Sequence, residues 1–175
     1  MRGQLGLPGM EETAIFSRCR TWRYTLNRRW SEATRVVFLL CNPSTADEAQ
    51  DDPTLRRCRG FAQSWGYGGM TILNLFAIRG TDPRILARVE DPVGPENDAN
   101  ILRTLEDCQL LVCAWGCGGH MKGELRKRPA TVVSMIRSRF PYLAIGCLGY
   151  TADGTPRHPL MLKSSTTIQY FEVKE

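Results

Sequence analysis

Two hydrophobic patterns alternate along most of the chain. Arg35 to Cys41, Met70 to Phe76, Leu110 to Trp115 and Leu143 to Leu148 are short, nearly unbroken apolar runs of strand length. Runs of this kind belong to strands buried on both faces, as in a parallel sheet covered by helices. Between them the apolar residues recur at helical spacing. Leu55, Cys58, Ala62 and Trp65 give one buried face behind Pro53, which suits a first helical turn, with Asp51 or Asp52 as the cap. Ile101, Leu102, Leu105 and Cys108 mark a second helix after Pro95-Glu96, and a third runs from the basic stretch beyond Gly118-Gly119 to about Phe140. Ahead of these, Thr13 to Phe16 and Trp22 to Leu26 are β-prone pieces separated by Ser17 to Arg20, read as a hairpin or as edge strands. The alternation predicts an α/β fold: a three-layer sandwich with a mostly parallel central sheet. Residues 1–12 are expected to form a mobile N-terminal arm and residues 13–175 a single α/β domain, since no repeat, low-complexity tract or long linker divides the chain.

Composition narrows this further. With 175 residues, 42% hydrophobic and 23% charged, the chain can bury a core without metals or disulfides, which excludes intrinsic disorder. The longest apolar run, Val36 to Cys41, is far below the roughly 18 residues that span a bilayer, and no signal-like stretch follows Met1-Arg2. A cytoplasmic monomer without membrane contact is therefore expected. The 7 cysteines are odd in number and several lie in apolar runs, which reads as free thiols in a reducing compartment. The closest spacing, Cys113-x3-Cys117, matches no structural zinc pattern, so no metal is expected. A net charge of +5 permits a polyanionic partner without demanding one.

In an open α/β sheet, ligands collect at the carboxyl ends of the strands. Those ends carry Asn42-Pro43-Ser44 and Asp47, then Asn74, then Trp115-Gly116, and lastly Gly149-Tyr150-Thr151 leading to Arg157-His158-Pro159-Leu160. Asn42 before proline is either a turn residue bonding its own backbone or a site residue. Asn74, flanked by leucines and followed by Phe76, would be costly to bury without partners, so it makes a structural hydrogen bond or reads a ligand. His158 sits on a loop between prolines, where a functional role is favoured. The acids Asp47, Glu48, Asp51 and Asp52 cap the next helix or hold a divalent ion. Lys122 to Arg128 is a solvated face or a phosphate contact. Arg18, Arg20, Arg23, Arg28 and Arg29 interleave with Trp22, Tyr24 and Trp30, which suits nucleic acid, or forms an arginine-rich hairpin exposed at the sheet edge.

Taken together, Phe16-Ser17-x-Cys19-Arg20-x-Trp22-Arg23-Tyr24-x-Leu26, Asn42 to Asp47, Asp52-Pro53-Thr54, Gly66 to Gly69, Asn74 to Ala77, Thr81-Asp82-Pro83, Gly94-Pro95-x-Asn97-Asp98 and Pro156 to Leu160 resemble the bacterial and phage family catalogued as domain of unknown function 1643. The likeness runs over about residues 14 to 162. In the order of four short segments, Asn42-Pro43, Leu73-Asn74, Trp115-Gly116 and His158-Pro159, the chain is also similar to the uracil-DNA glycosylase superfamily. That second resemblance implies a uracil-DNA glycosylase-like sandwich and cleavage of an N-glycosidic bond in DNA, with no metal or organic cofactor. It implies that Asn42 positions a water, Asn74 reads the Watson–Crick edge of an extruded base, and His158 stabilises charge on the leaving base. Pro43, Ser44, Trp115 and Arg157 would also face the substrate, Leu160 or Leu162 would wedge into the duplex, and Phe76 or Tyr67 would supply a stacking face. Asp47 is the alternative water activator. Two other readings stay open: a binding module of the same fold that does not cleave, and a nucleotide hydrolase or transferase in which Asp47 and Asp52 hold magnesium.

Overall fold

The unbroken apolar runs become the middle of one sheet. The computed structural model of the protein describes residues 11–44, 46–47 and 49–172. Residues 1–10 of the expected arm and Glu48 of the acidic cluster lie outside the described residues. Strands β1 (Glu11–Phe16), β2 (Arg23–Arg29), β3 (Arg35–Leu40), β4 (Gly69–Asn74), β5 (Leu110–Cys113), β6 (Ala144–Cys147) and β7 (Gln169–Tyr170) form a single sheet in the order β1-β2-β4-β3-β5-β6-β7. The first strand already begins at Glu11, inside the stretch expected to be an arm.

The central strands β4, β3, β5 and β6 are mutually parallel, with Leu40 opposite Asn74 and Leu39 opposite Cys113. The ladders β1–β2, β2–β4 and β6–β7 are antiparallel, so the sheet is mixed and not mostly parallel as expected. Hydrophobicity marks a strand as buried but says nothing about its direction; β2 and β7, which lack unbroken apolar runs, are the strands that run against the central four. Nor does β2 lie beside β3, its neighbour in sequence; β4 is inserted between them. The connection from β2 to β3 spans two interstrand spacings of about 4.8 Å, well within reach of five residues. It clamps the start of β4, with Trp30 and Ser31 N–H bonding Gly68 O and Gly68 N–H bonding Thr34 O. A side chain at Gly68 would meet Ala33 O at 2.6 Å, so this crossing requires glycine.

Successive residues of β3 face opposite sides of the sheet. Val36, Phe38 and Leu40 pack with Leu55, Cys58, Phe61 and Ala62 of helix α1 (Pro53–Ser64). Val37 and Leu39 belong to a second cluster with Ile101 and Leu105 of α2 (Asn97–Leu105) and Val132, Val133 and Ile136 of α3 (Arg128–Arg139). Helices thus cover both faces. Helix α1 starts as its sequence implies, with Asp52 accepting from Leu55 N–H at 2.8 Å and Pro53 in the first turn. Helix α2 is fixed to the carboxyl end of β4 by Asn97, whose amide donates to Asn74 O at 3.0 Å and Leu75 O at 3.2 Å.

One expectation about the cysteines is overturned. Cys41, just past β3, and Cys117, just past β5, are joined in a disulfide across 76 residues of chain. Free thiols are expected when spacing alone is considered, whereas the β3–β5 pairing carries both residues to the same edge of the sheet. Cys19, Cys58, Cys108, Cys113 and Cys147 remain free, as expected. Among the described residues, no helix is long and apolar enough to cross a membrane.

Candidate functional site

Leaving β3, the chain passes through α1 to β4 on one side and later returns through α2 to β5 on the other. This is the topological switch point at which open α/β sheets bind ligands. A cavity of about 330 Å³ lies there, walled by residues from the carboxyl ends of β3, β4 and β5, from the start of α1, and from the loop that carries His158. Asn42, Ser44, Asn74, Trp115, His158 and Leu160, all singled out in the sequence, line it together.

Each polar group has a definite state. Asn42 donates its amide N–H to Gly80 O at 2.8 Å and to Pro43 O at 3.3 Å, which ties the loop after β3 to the segment after β4. Among the described residues its Oδ1 receives no hydrogen bond. Ser44 Oγ donates to the Asp52 carboxylate, whose other oxygen caps α1. His158 Nδ1 accepts from Leu160 N–H at 3.3 Å, so the neutral ring carries its proton on Nε2. Burial lowers the His158 pKa below the ordinary value, an effect partly opposed by the Asp52 charge. At neutral pH the imidazole is therefore an uncharged donor through Nε2.

The His158 loop is held from three directions. Gly116 N–H bonds Pro156 O at 3.0 Å and Arg157 N–H bonds Gly149 O at 2.9 Å, while Arg57 of α1 donates to Leu162 O. Gly116 itself has φ +62°, and a Cβ there would come within 2.9 Å of His158 N. Bare backbone at this position lets the loop seat against the end of β5.

Other sequence candidates are not brought to the cavity. Pro43 is buried beneath its wall. Asp47 does not line it; its carboxylate accepts from Ala49 N–H at 2.8 Å and Gln50 N–H at 3.0 Å, bonds that hold it below the usual carboxylate range. Arg157 is exposed and donates to Tyr150 O at 2.8 Å. Phe76 is fully buried in the core with no free face, and Tyr67 precedes β4 at the end of the strand opposite Asn74. Neither ring is in place to stack on an occupant of the cavity, whose aromatic wall is Trp115. Among the described residues, no group of three or more His, Cys, Asp or Glu side chains is arranged to hold a metal ion.

The basic–aromatic hairpin also departs from expectation. Arg28 is only 1% exposed, donating to Asp51 at 2.8 Å and to Asp47 O at 2.7 Å, and Tyr24 is buried. Arg20 and Arg79 stack at 3.9 and 4.9 Å on the ring of Phe16, beside a shallow hollow that shares Ser44 and Gly80 with the cavity. This is the part of the patch that adjoins the site.

Arg23, read from sequence as one of the exposed arginines, forms part of the cavity wall and is 2% exposed. It arrives there because β2 runs antiparallel to β4, so the start of β2 meets the carboxyl end of β4. Its Nη1 donates to Ala46 O at 2.8 Å and its Nη2 approaches Asn74 Oδ1 at 3.4 Å. Burial lowers its pKa to about 10, with the Asp52 charge in partial opposition, so it stays cationic at neutral pH. Arg23 Nε and Asn74 Nδ2 are buried without a partner among the described residues. An unmade hydrogen bond of this kind costs about 1–3 kcal/mol. Asp52, read from sequence as a helix cap or a magnesium ligand, also lines the cavity, as do His120 and Thr81, which are not read from sequence as site residues. Asp52 is placed by its capping role: a residue capping a helix that follows a buried strand stands at the carboxyl edge of the sheet.

The fold and its cavity define an α/β protein with a polar, histidine-bearing site at the switch point of a mixed sheet. A family model described as protein of unknown function (DUF1643) matches residues 23–160, and the chain belongs to that family. No curated protein and no solved structure matches the chain.

Proposed function

We propose that the protein is an N-glycosylase-like hydrolase that releases uracil or a modified pyrimidine from DNA, with its helices and sheet arranged as in uracil-DNA glycosylases. One observation carries this reading. Asn42, Asn74 and His158, which lie 32 and 84 residues apart along the chain, line one cavity whose volume of about 330 Å³ is within the range of small-ligand sites. An extruded base entering it would offer a carbonyl to Asn74 Nδ2 and face the Trp115 ring. Neutral His158 would donate from Nε2 to the oxygen on which negative charge grows as the base departs. A water held by Asn42 Oδ1 would add to the sugar carbon as the bond from carbon to base nitrogen breaks. The bonding pair leaves with the base, and the water's proton passes to Asp52, the carboxylate that lines the cavity. Asp52 replaces Asp47 in that role because Asp47 is turned to backbone N–H groups outside it.

The direct measurement is base release from oligonucleotides containing uracil, hydroxymethyluracil or a mismatch. Release by the wild type and at least a hundredfold loss in Asn42→Ala and His158→Ala are expected. No release from any of them, with no DNA binding at low salt, overturns the reading. A second reading, binding without cleavage, is favoured by the Asp52 carboxylate, which already accepts from Ser44 and Leu55. Tight, salt-dependent binding that survives His158→Ala with no product would select it.

A further inference from the structure

We propose that Arg23 and Asn74 form an anion-receiving floor of this cavity, which takes the delocalised, oxygen-bearing edge of a planar pyrimidine and sets the site's preference for a base that is leaving as an anion. The inference rests on the glycosylase reading for its chemistry, though the binding it requires is independent of turnover. A guanidinium withdrawn from water ordinarily faces a carboxylate. Arg23 is withdrawn from water, and although the Asp52 charge acts on it, that carboxylate accepts from Ser44 and Leu55, so among the described residues the hydrogen-bond partners of Arg23 are a backbone carbonyl and an amide oxygen, at Ala46 and Asn74.

The geometry around Asn74 adds direction to the charge. Because Arg23 Nη2 faces Oδ1, the amide is turned so that Nδ2 is its free group. An amide N–H donates to a keto oxygen and rejects an exocyclic amino group. Arg23 Nε is a second unpartnered buried donor on the same wall. Two donors and one positive charge match a pair of acceptor atoms sharing one negative charge, as in the N–C–O edge of a deprotonated pyrimidine. A tetrahedral phosphate offers acceptors too, but the aromatic wall at Trp115 favours a flat occupant.

Calorimetric titration of the intact protein tests this, with barbiturate, a planar pyrimidine that is an anion at neutral pH, alongside uracil, cytosine and inorganic phosphate. Barbiturate is expected to bind at least tenfold tighter than uracil, and cytosine and phosphate at least tenfold more weakly than uracil. Arg23→Gln should weaken barbiturate by tenfold or more and uracil by less than threefold, while Arg23→Lys, which retains the charge, should recover part of the loss. Wild-type binding in which barbiturate holds no advantage over uracil overturns the proposal without recourse to any variant. Phosphate binding as tightly as barbiturate overturns it as well, by assigning the floor to a phosphate. Barbiturate binding that depends on Arg23, with no base release from any oligonucleotide, upholds the floor and removes the enzyme reading. Base release at the wild-type rate in Arg23→Gln keeps the enzyme reading and removes the floor.

Discussion

His158 uses Nδ1 to accept from Leu160 N–H and is buried enough that protonating it in place is unfavourable. Its folded pKa lies below the value of 6.5 that it has when unfolded, so as pH falls past 6.5 the unfolded chain takes up the proton first. Stability is therefore untouched by this group above neutrality and declines from about pH 6.5 downward, until the folded pKa is passed. His158→Gln should flatten the fall of Tm between pH 7 and pH 5, as thermal unfolding at a series of pH values would show; identical slopes in variant and wild type would contradict the assigned burial. Legibility at this scale divided along chemical lines. A histidine between prolines and an asparagine among leucines stand out in sequence because each conflicts with its local setting. Arg23 does not, because an arginine in a β-prone, basic stretch is unremarkable until its strand is placed.

The elements that deliver these residues have their own tolerances. The turn after β5 brings Gly116 against His158 with a positive φ, where alanine costs about 1 kcal/mol in backbone strain alone and also pushes the histidine outward. Gly116→Ala is expected to lower Tm, and to lower any base release by tenfold or more in the protein that remains folded. A loss of activity no larger than the loss of folded protein would argue against positioning. The Cys41–Cys117 bridge joins the ends of β3 and β5 beneath the same turn. Peptide mapping without reductant should recover the linked pair, and reduction should lower Tm, since in the chain-entropy account closing a loop of 76 residues contributes about 4 kcal/mol. The start of α1 was legible because capping chemistry is local: Asp52 and Pro53 announce it wherever it packs, whereas α3, with no side-chain cap, begins at Arg128 inside a basic stretch that marks no start. The two-residue strand β7 was not, having neither length nor an apolar run.

Over the whole molecule, the charge of +5 divides in a way its total does not reveal. Arg23 and Arg28 are interior, whereas Arg20 and Arg79 lie over Phe16 beside the cavity mouth. If that surface meets phosphates, Arg79→Ala should weaken DNA binding across all sequences and reduce the slope of log K against log salt by about 1. An unchanged slope would move the contact elsewhere, with the basic segment Lys122 to Arg128 next to be examined by the same titration.

The amino-acid sequence by itself determined the α/β class, the four buried strands, the start of α1, and the arrival of Asn42, Asn74 and Trp115 at strand ends. All of these follow from patterns that act over a few residues: apolar period, capping and turn chemistry. The tertiary structure alone decided that β4 slips between β2 and β3, that the sheet is mixed, that Cys41 meets Cys117, and that Arg23 enters the cavity wall. Strand order and direction depend on which closures of the whole chain bury both faces of the sheet at once. No local pattern records that choice, and the antiparallel course of β2 is what turns an apparently exposed arginine into a buried cation beside Asn74.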